Sequence, residues 1–353
     1  MALSVICNLW LDRAVAAQRR FTVALRKLLF AATGAYAIER KIELTFSLAG
    51  AGCTLSTDSA ALAENVLRST VAWLAQTVCE LNVDVLAGDE SPLAAPHFRG
   101  MHHVVVASFG AANVFVFDLR RRIVTAKVSE TVARDAEFWP RTLLPIMAGV
   151  LGATIDVLPL HSACLAREGF GMLIAGESGA GKSTLAVALA QRNFDYISDD
   201  WTYCTVSSGL LTAHGTAARV KLLPDAARYF GQLNEHQVHT SMNGELAFEV
   251  RVEQAFGVRL ERQCMPRLLI FYHRTGVPAS RFTPLDRAAA RRYMEGSVER
   301  FPPQLAEASR ARSVLMDAVA ALPCWKFECR GNPARIAQEL DTFFEARRRE
   351  ATA

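Results

Sequence analysis

His161 to Asp200 reads HSACLAREGFGMLIAGESGAGKSTLAVALAQRNFDYISDD, and these forty residues decide the fold. Two apolar runs, HSACLA and MLIA, flank the turn REGFG and read as short buried strands. GESGAGKST then leads into LAVALAQR, a run of good helix formers. FDYIS at 194–198 reads as a returning strand that delivers Asp199 and Asp200 at its carboxyl end. Strand, glycine-rich loop, helix and strand in this order predict an α/β unit with its ligand at the strand ends.

Gly176, Glu177, Ser178, Gly179, Ala180, Gly181, Lys182 and Ser183 satisfy GxxxxGK[ST] in full, with Thr184 following. From average residue usage the pattern arises by chance in roughly one chain in a hundred of this length. A strand before it and a helix after it let backbone N–H groups and the positive end of the helix dipole converge on a phosphate. We therefore expect a nucleoside triphosphate, ATP in the simplest case, held by residues 176–184. Lys182, expected to face solvent from the loop, supplies a cation to the β and γ phosphates. The Ser183 hydroxyl supplies an oxygen ligand to magnesium.

The acid pair lies 17 and 18 residues beyond Lys182, and His161 lies 21 residues before it. One short helix and one strand between them bring the carboxylates back beside the loop. Two carboxylates facing a triphosphate can divide the work: Asp199 on the metal, Asp200 accepting a proton from an incoming hydroxyl. The bland alternative is a surface pair capping a turn. His161 alone is either a hydrogen-bonded core histidine or a catalytic group. Transporter-type ATPases share GESGAGKST loops but need an LSGGQ segment and a distant strand ending in Asp-Glu. Neither occurs, and RLLIFYHR at 267–274 ends without a carboxylate.

Taken together, His161, GESGAGKS and Asp199-Asp200 resemble the catalytic domain of the HPr kinase/phosphorylase family, whose fold is similar to that of nucleotide-binding phosphoenolpyruvate carboxykinase. The resemblance covers roughly residues 155–230. It implies a catalytic role for His161 and Lys182, magnesium on Ser183, proton transfer by Asp200 with Asp199 in support, and a homo-oligomer. The chain departs from the family at Thr184, where the family has Glu, and lacks its Glu-Ile-Arg-Gly segment. Asp225 and Glu249 are the candidates for a second magnesium ligand.

Outward from this core, residues 41–57 read as two strands around a turn, Ser59–Glu80 as a capped helix, and 81–100 as a loop. Three strands over 102–128 and a helix over 135–152 follow. A boundary near 152–160 then separates an α+β domain, 1–152, from the nucleotide-binding domain, 153–353. Beyond the acid pair we expect strands at 201–206, 216–223, 245–252 and 267–272, helices around 285–296 and 303–321, and a closing CWKFEC strand. Asn332-Pro333 then caps the last helix. Residues 13–30 read as an amphipathic helix, solvated or membrane-surface.

A charge balance of 39 basic to 35 acidic residues is too even for a general nucleic-acid binder. The eight cysteines form no CxxC pair, so free thiols in a reducing cytoplasm are expected. No transmembrane segment or secretory signal is predicted. His102-His103 lacks a third ligand at metal spacing. Trp201 and Tyr203 either stack on a base or fill the core.

These readings converge on an ATP- and magnesium-dependent phosphotransferase acting on a hydroxyl of a protein, peptide or small molecule. Two alternatives stand: a shikimate- or gluconate-type kinase with an arginine lid in 251–267, and a non-catalytic nucleotide-dependent sensor or scaffold.

Overall fold

The computed structural model describes residues 41–215, 219–241, 244–275, 279–298 and 306–352. The amphipathic run 13–30 lies outside them. Two compact units emerge from the chain's internal contacts, one built on 52–142 and the other on 143–298 with 307–352.

In the first unit IELTFSL and AGCTLST form the hairpin β1 (Ile42–Leu48) and β2 (Ala51–Thr57). Ser59 caps α1 (Ala60–Ser69), its hydroxyl accepting from the Leu62 N–H at 3.3 Å. The expected continuation to Glu80 is wrong, because Thr70 is already extended and its hydroxyl bonds back to the Val66 carbonyl at 2.8 Å. Cys79–Leu86 instead forms β3, whose alternation buries Cys79, Leu81 and Val83. The expected loop over 81–100 is corrected in the same way, since His97–Met101 forms β4. The meander β5 (Val104–Ser108), β6 (Val114–Asp118) and β7 (Ile123–Ser129) completes a sheet of order β1-β2-β3-β7-β6-β5-β4. Its middle pairs, β2–β3 and β3–β7, are parallel. Ser129 caps α2 (Glu130–Arg134). The helix expected over 135–152 is broken: Pro140 and Pro145 lack N–H donors, and a π-turn at Trp139–Leu143 precedes α3 (Leu144–Leu151), which belongs to the second unit.

The second unit is built on β8 (Val157–Arg167), a continuous apolar strand rather than a short one. Its carboxyl half pairs on one edge with β9 (Phe170–Ala175) and on the other with β10 (Asp195–Ser198). Its amino half pairs with β11 (Trp201–Ser207), so β10 and β11 lie in line along the same edge. α4 (Lys182–Ala190) joins β9 to β10. β12 (Leu210–His214), which the sequence reading missed, continues from β11 as a hairpin. β13 (Arg219–Leu222), β14 (His239–Thr240) and β15 (Leu246–Arg251) form a separate small sheet, followed by α5 (Val252–Phe256).

β16 (Gln263–Arg274) pairs with β12 at its start and parallel to β9 further on. The ladder β8–β11–β12–β16–β9 thereby closes back on β8. β17 (Arg281–Leu285), α6 (Arg287–Met294), α7 (Ala306–Val319), β18 (Cys324–Cys329) and α8 (Pro333–Thr352) complete the unit. Arg335 N–H donates to Asn332 Oδ1 at 2.9 Å, the cap expected for α8.

Two apolar clusters flank the main sheet. On one face Leu185 and Leu189 of α4 and Ile336, Leu340 and Phe344 of α8 pack on Ile174, Ile270 and Phe327. On the other, Ala290 and Met294 of α6 and Leu315, Met316 and Val319 of α7 pack on Leu173, Leu269 and Phe271. The result is a mixed α/β unit with helices on both faces of its sheet. Among the described residues no helix is long and apolar enough to cross a membrane.

Candidate functional site

Residues 176–181 cross from the carboxyl end of β9 to the first turn of α4. Gly176 is required by packing, since a Cβ there would stand 2.4 Å from the Tyr272 carbonyl oxygen of β16. Gly181 caps α4 at φ 93°, a conformation side chains resist, and its carbonyl accepts from the Leu185 N–H at 2.9 Å. Between them Glu177, Ser178 and Gly179 are exposed, and the Ala180 N–H closes a turn on the Glu177 carbonyl at 3.3 Å. The loop is thus pinned at both ends and open at its crest.

Lys182 does not face solvent as expected. It is 5% exposed, and its Nζ donates to the carbonyls of Gly176 at 2.9 Å and Glu177 at 3.0 Å. Burial lowers its pKa, while the carboxylates of Asp200 and Asp199 oppose that shift. The ammonium therefore sits beneath the loop crest with both acids in its field. Ser183 and Thr184, one and two positions on, are partly exposed.

The acid pair occupies a lapse in strand pairing. Ser198 is opposite Cys164 and Trp201 opposite His161, with Asp199 and Asp200 between them outside the ladder. A side chain repairs part of the break: Thr202 Oγ1 donates to the Ser162 carbonyl at 2.8 Å. Freed from the strand's alternation, the two carboxylates differ sharply in environment.

Asp199 is 4% exposed, and its Oδ1 accepts from the Tyr196 hydroxyl at 2.7 Å. Its Oδ2 is buried with no hydrogen-bond partner. Burial and the neighbouring charge of Asp200 push its carboxyl up to about 7, against the Tyr196 and Ser183 hydroxyls, which favour the charged form. The buried Asp199 Oδ2 and the nearby Ser183 hydroxyl are two of the oxygen donors a hard cation takes, the rest coming from phosphate and water. Magnesium fits these two residues.

Asp200 is half-exposed, its side chain retaining 47% of its accessible surface, and its Oδ1 lies 3.0 Å from His161 Nε2. Burial acts to raise its pKa, but the hydrogen bond from His161 and the charges of His161 and Lys182 hold it below the ordinary carboxylate value. Trp201, which the sequence left between base stacking and core, stacks on the His161 ring at 5.5 Å between centroids. Tyr203 is fully buried and belongs to the core.

The remaining candidates lie elsewhere. Asp225 pairs with Arg228 in an exposed 3-10 turn, and Glu249 stands on β15 opposite Lys221, outside the main sheet. Segment 251–267, considered as a lid, is tied to β10: Tyr196 N–H donates to the Arg259 carbonyl at 2.8 Å and Glu261 N–H to the Tyr196 carbonyl at 2.9 Å. His102 sits in the β4–β5 turn, and His103 faces Asp118 at 3.9 Å. Tyr196 was missed altogether. Its signal is an aromatic hydroxyl three residues before the first acid, at a strand end.

No family model matches the chain, and no curated protein does. Among solved structures, the HPr(Ser) kinase/phosphatase from Coxiella burnetii is similar over 55% of this chain and 99% of that one, at 14% identity and a TM-score of 0.34. A likeness of that size carries no argument about this chain.

Proposed function

We propose that the chain is a nucleoside-triphosphate-dependent kinase that transfers a γ-phosphoryl group to a hydroxyl, with Asp200 as the base. The observation that carries this reading is the meeting, where β9 ends beside the middle of β8, of a glycine-pinned loop, a buried lysine and two carboxylates in opposite electrostatic states. Bound magnesium nucleotide supplies the phosphoryl group and neutralises charge on it.

The chain's own residues do the rest. Lys182 exchanges its two loop carbonyls for phosphate oxygens, a charge-assisted replacement on an ammonium already buried in place. Asp199 and Ser183 offer oxygen ligands to the cation. Asp200 receives the acceptor's proton, oriented by His161, whose ring is steadied by Trp201. A carboxylate held below its ordinary pKa is a weak base, and a loose phosphoryl transition state asks for little proton removal before the new bond forms. Positioning and charge therefore supply most of the rate.

The motif resemblance extends the reading to serine hydroxyls on proteins or peptides, with small-molecule alcohols as the remaining class. The test incubates the full-length protein with γ-labelled ATP and magnesium in a lysate of its native host and identifies the labelled serine or metabolite. Nucleotide bound without label transfer or phosphate release would make the site a sensor instead.

A further inference from the structure

β16 runs parallel to β9 with Phe271 opposite Ala175, so Tyr272 stands beside Gly176 and the strand ends just past the loop's first glycine. Side chains alternate along a strand, and Ile270 and Tyr272 pack into the cluster that holds α4. Arg274, two residues on, therefore rises on the face that carries the amino end of α4. Its Nη1 lies 3.7 Å from where a Cβ on Gly181 would stand, and its Nη2 donates to the Gly331 carbonyl at 3.2 Å. Among the described residues no carboxylate lies within ion-pair distance of it, whereas Arg167, Arg192, Arg281 and Arg291 each hold one. An exposed guanidinium leaning on the loop, whose hydrogen bond among the described residues goes to a backbone carbonyl alone, keeps most of its donors for a ligand.

We propose that Arg274 is a further catalytic residue of this site, a cation supplied in cis that bonds the transferring phosphoryl group. The proposal rests on the phosphoryl-transfer reading above. In the transfer the bond from the γ-phosphorus to its bridging oxygen breaks, that electron pair leaves with the nucleoside diphosphate, and the acceptor oxygen bonds the phosphorus. The acceptor's proton goes to Asp200. Arg274 exchanges no proton; its planar fork meets the equatorial oxygens as their charge spreads. Lys182, beneath the crest, and Arg274, beside Gly181, approach the same loop from two sides.

Aluminium fluoride with MgADP mimics the phosphoryl group in flight and needs no acceptor, so affinity alone reads the interaction. We expect Arg274→Ala to bind MgADP within about threefold of the wild type while losing roughly 10²-fold of the tightening that fluoride gives. Arg274→Lys, which keeps the charge and removes the fork, should recover little of it. Should Arg274→Ala lose its fold, Arg274→Lys reads the same ratio. Full fluoride tightening in both variants overturns the proposal, as does an equal loss with and without fluoride, or a wild type that binds MgADP and gains nothing from fluoride. A wild type that does not bind MgADP overturns the nucleotide reading itself, which keeps the two failures distinct.

Discussion

Nε2 of His161 stands 3.0 Å from Oδ1 of Asp200, and the two residues sit on elements that run side by side while the ladder between them lapses. The backbone partner of His161 is Trp201, so its ring reaches back by one residue to the carboxylate and rests on the indole as it does so. A carboxylate fixed by neighbouring strands holds its direction better than one on a free loop.

Asp200→Asn preserves shape and removes the proposed base. Nucleotide binding should persist while transfer falls by roughly 10² to 10⁴. His161→Ala should slow transfer less, with near-normal nucleotide affinity, because it removes only the orienting partner. A binding isotherm and a single-turnover rate on the same preparation measure both effects. Wild-type transfer by Asp200→Asn would sink the base assignment.

Lys182→Met keeps the apolar stem and deletes the ammonium. Magnesium-nucleotide affinity should drop by roughly 10- to 100-fold, the worth of a charge-assisted hydrogen bond. Thermal stability of the unliganded protein should change little, since the desolvation cost removed with the buried charge is offset by the loop carbonyls of Gly176 and Glu177 losing their donor. Calorimetric titration and melting on one sample separate these outcomes, and undiminished affinity would contradict the assignment of the loop.

Gly176→Ala tests the pinning of the loop. The added methyl meets a backbone oxygen at 2.4 Å, so β9 or β16 must shift. We expect a loss of about 1–3 kcal/mol in stability, read from denaturant unfolding. Gly179, whose Cβ would meet no atom within 4 Å among the described residues beyond its chain neighbours, has room to spare but sits at φ 77°, so alanine there strains the backbone without overpacking.

The sequence exposed the parts of this site whose chemistry is local. Loop, lysine and acid pair follow from spacing within one strand-loop-helix-strand run, and the buried strands followed from apolar runs. What stayed hidden depends on pairing across distance. β3 was misread because CELNVDVL follows a helical run without a glycine or proline between them, and its pairing with β2 and β7 is tertiary. The alignment of β10 and β11 along one strand, which sets Asp199 and Asp200 outside the ladder, is likewise invisible in one dimension. So are the Tyr196 bond to Asp199 and the approach of Arg274 to Gly181, residues 93 positions apart in sequence.

The raised carboxyl of Asp199 makes the site sensitive to pH in a direction that can be worked out. Its value stands at about 7 against an ordinary 3.8, chiefly through burial and the neighbouring Asp200. Between those values the folded chain binds more protons at Asp199 than the unfolded chain does, so this residue's contribution to stability falls as pH rises across the window. Asp199→Asn removes the titration, and the variant should melt higher than wild type above about pH 7, with a flatter profile from about pH 4 upward. Asp200 works in the opposite sense: its lowered value contributes stability at neutral pH that is lost in acid, below the window that Asp199 controls. If Asp199 holds magnesium as proposed, it does so in its charged form, and the magnesium-dependent part of nucleotide affinity should weaken toward about tenfold per pH unit below about pH 7, while magnesium-free binding stays level. Titrations with and without magnesium between about pH 5.5 and 8.5 measure this. An unchanged magnesium increment across that range in the wild type, or an identical decline in Asp199→Asn, would remove Asp199 from the metal site.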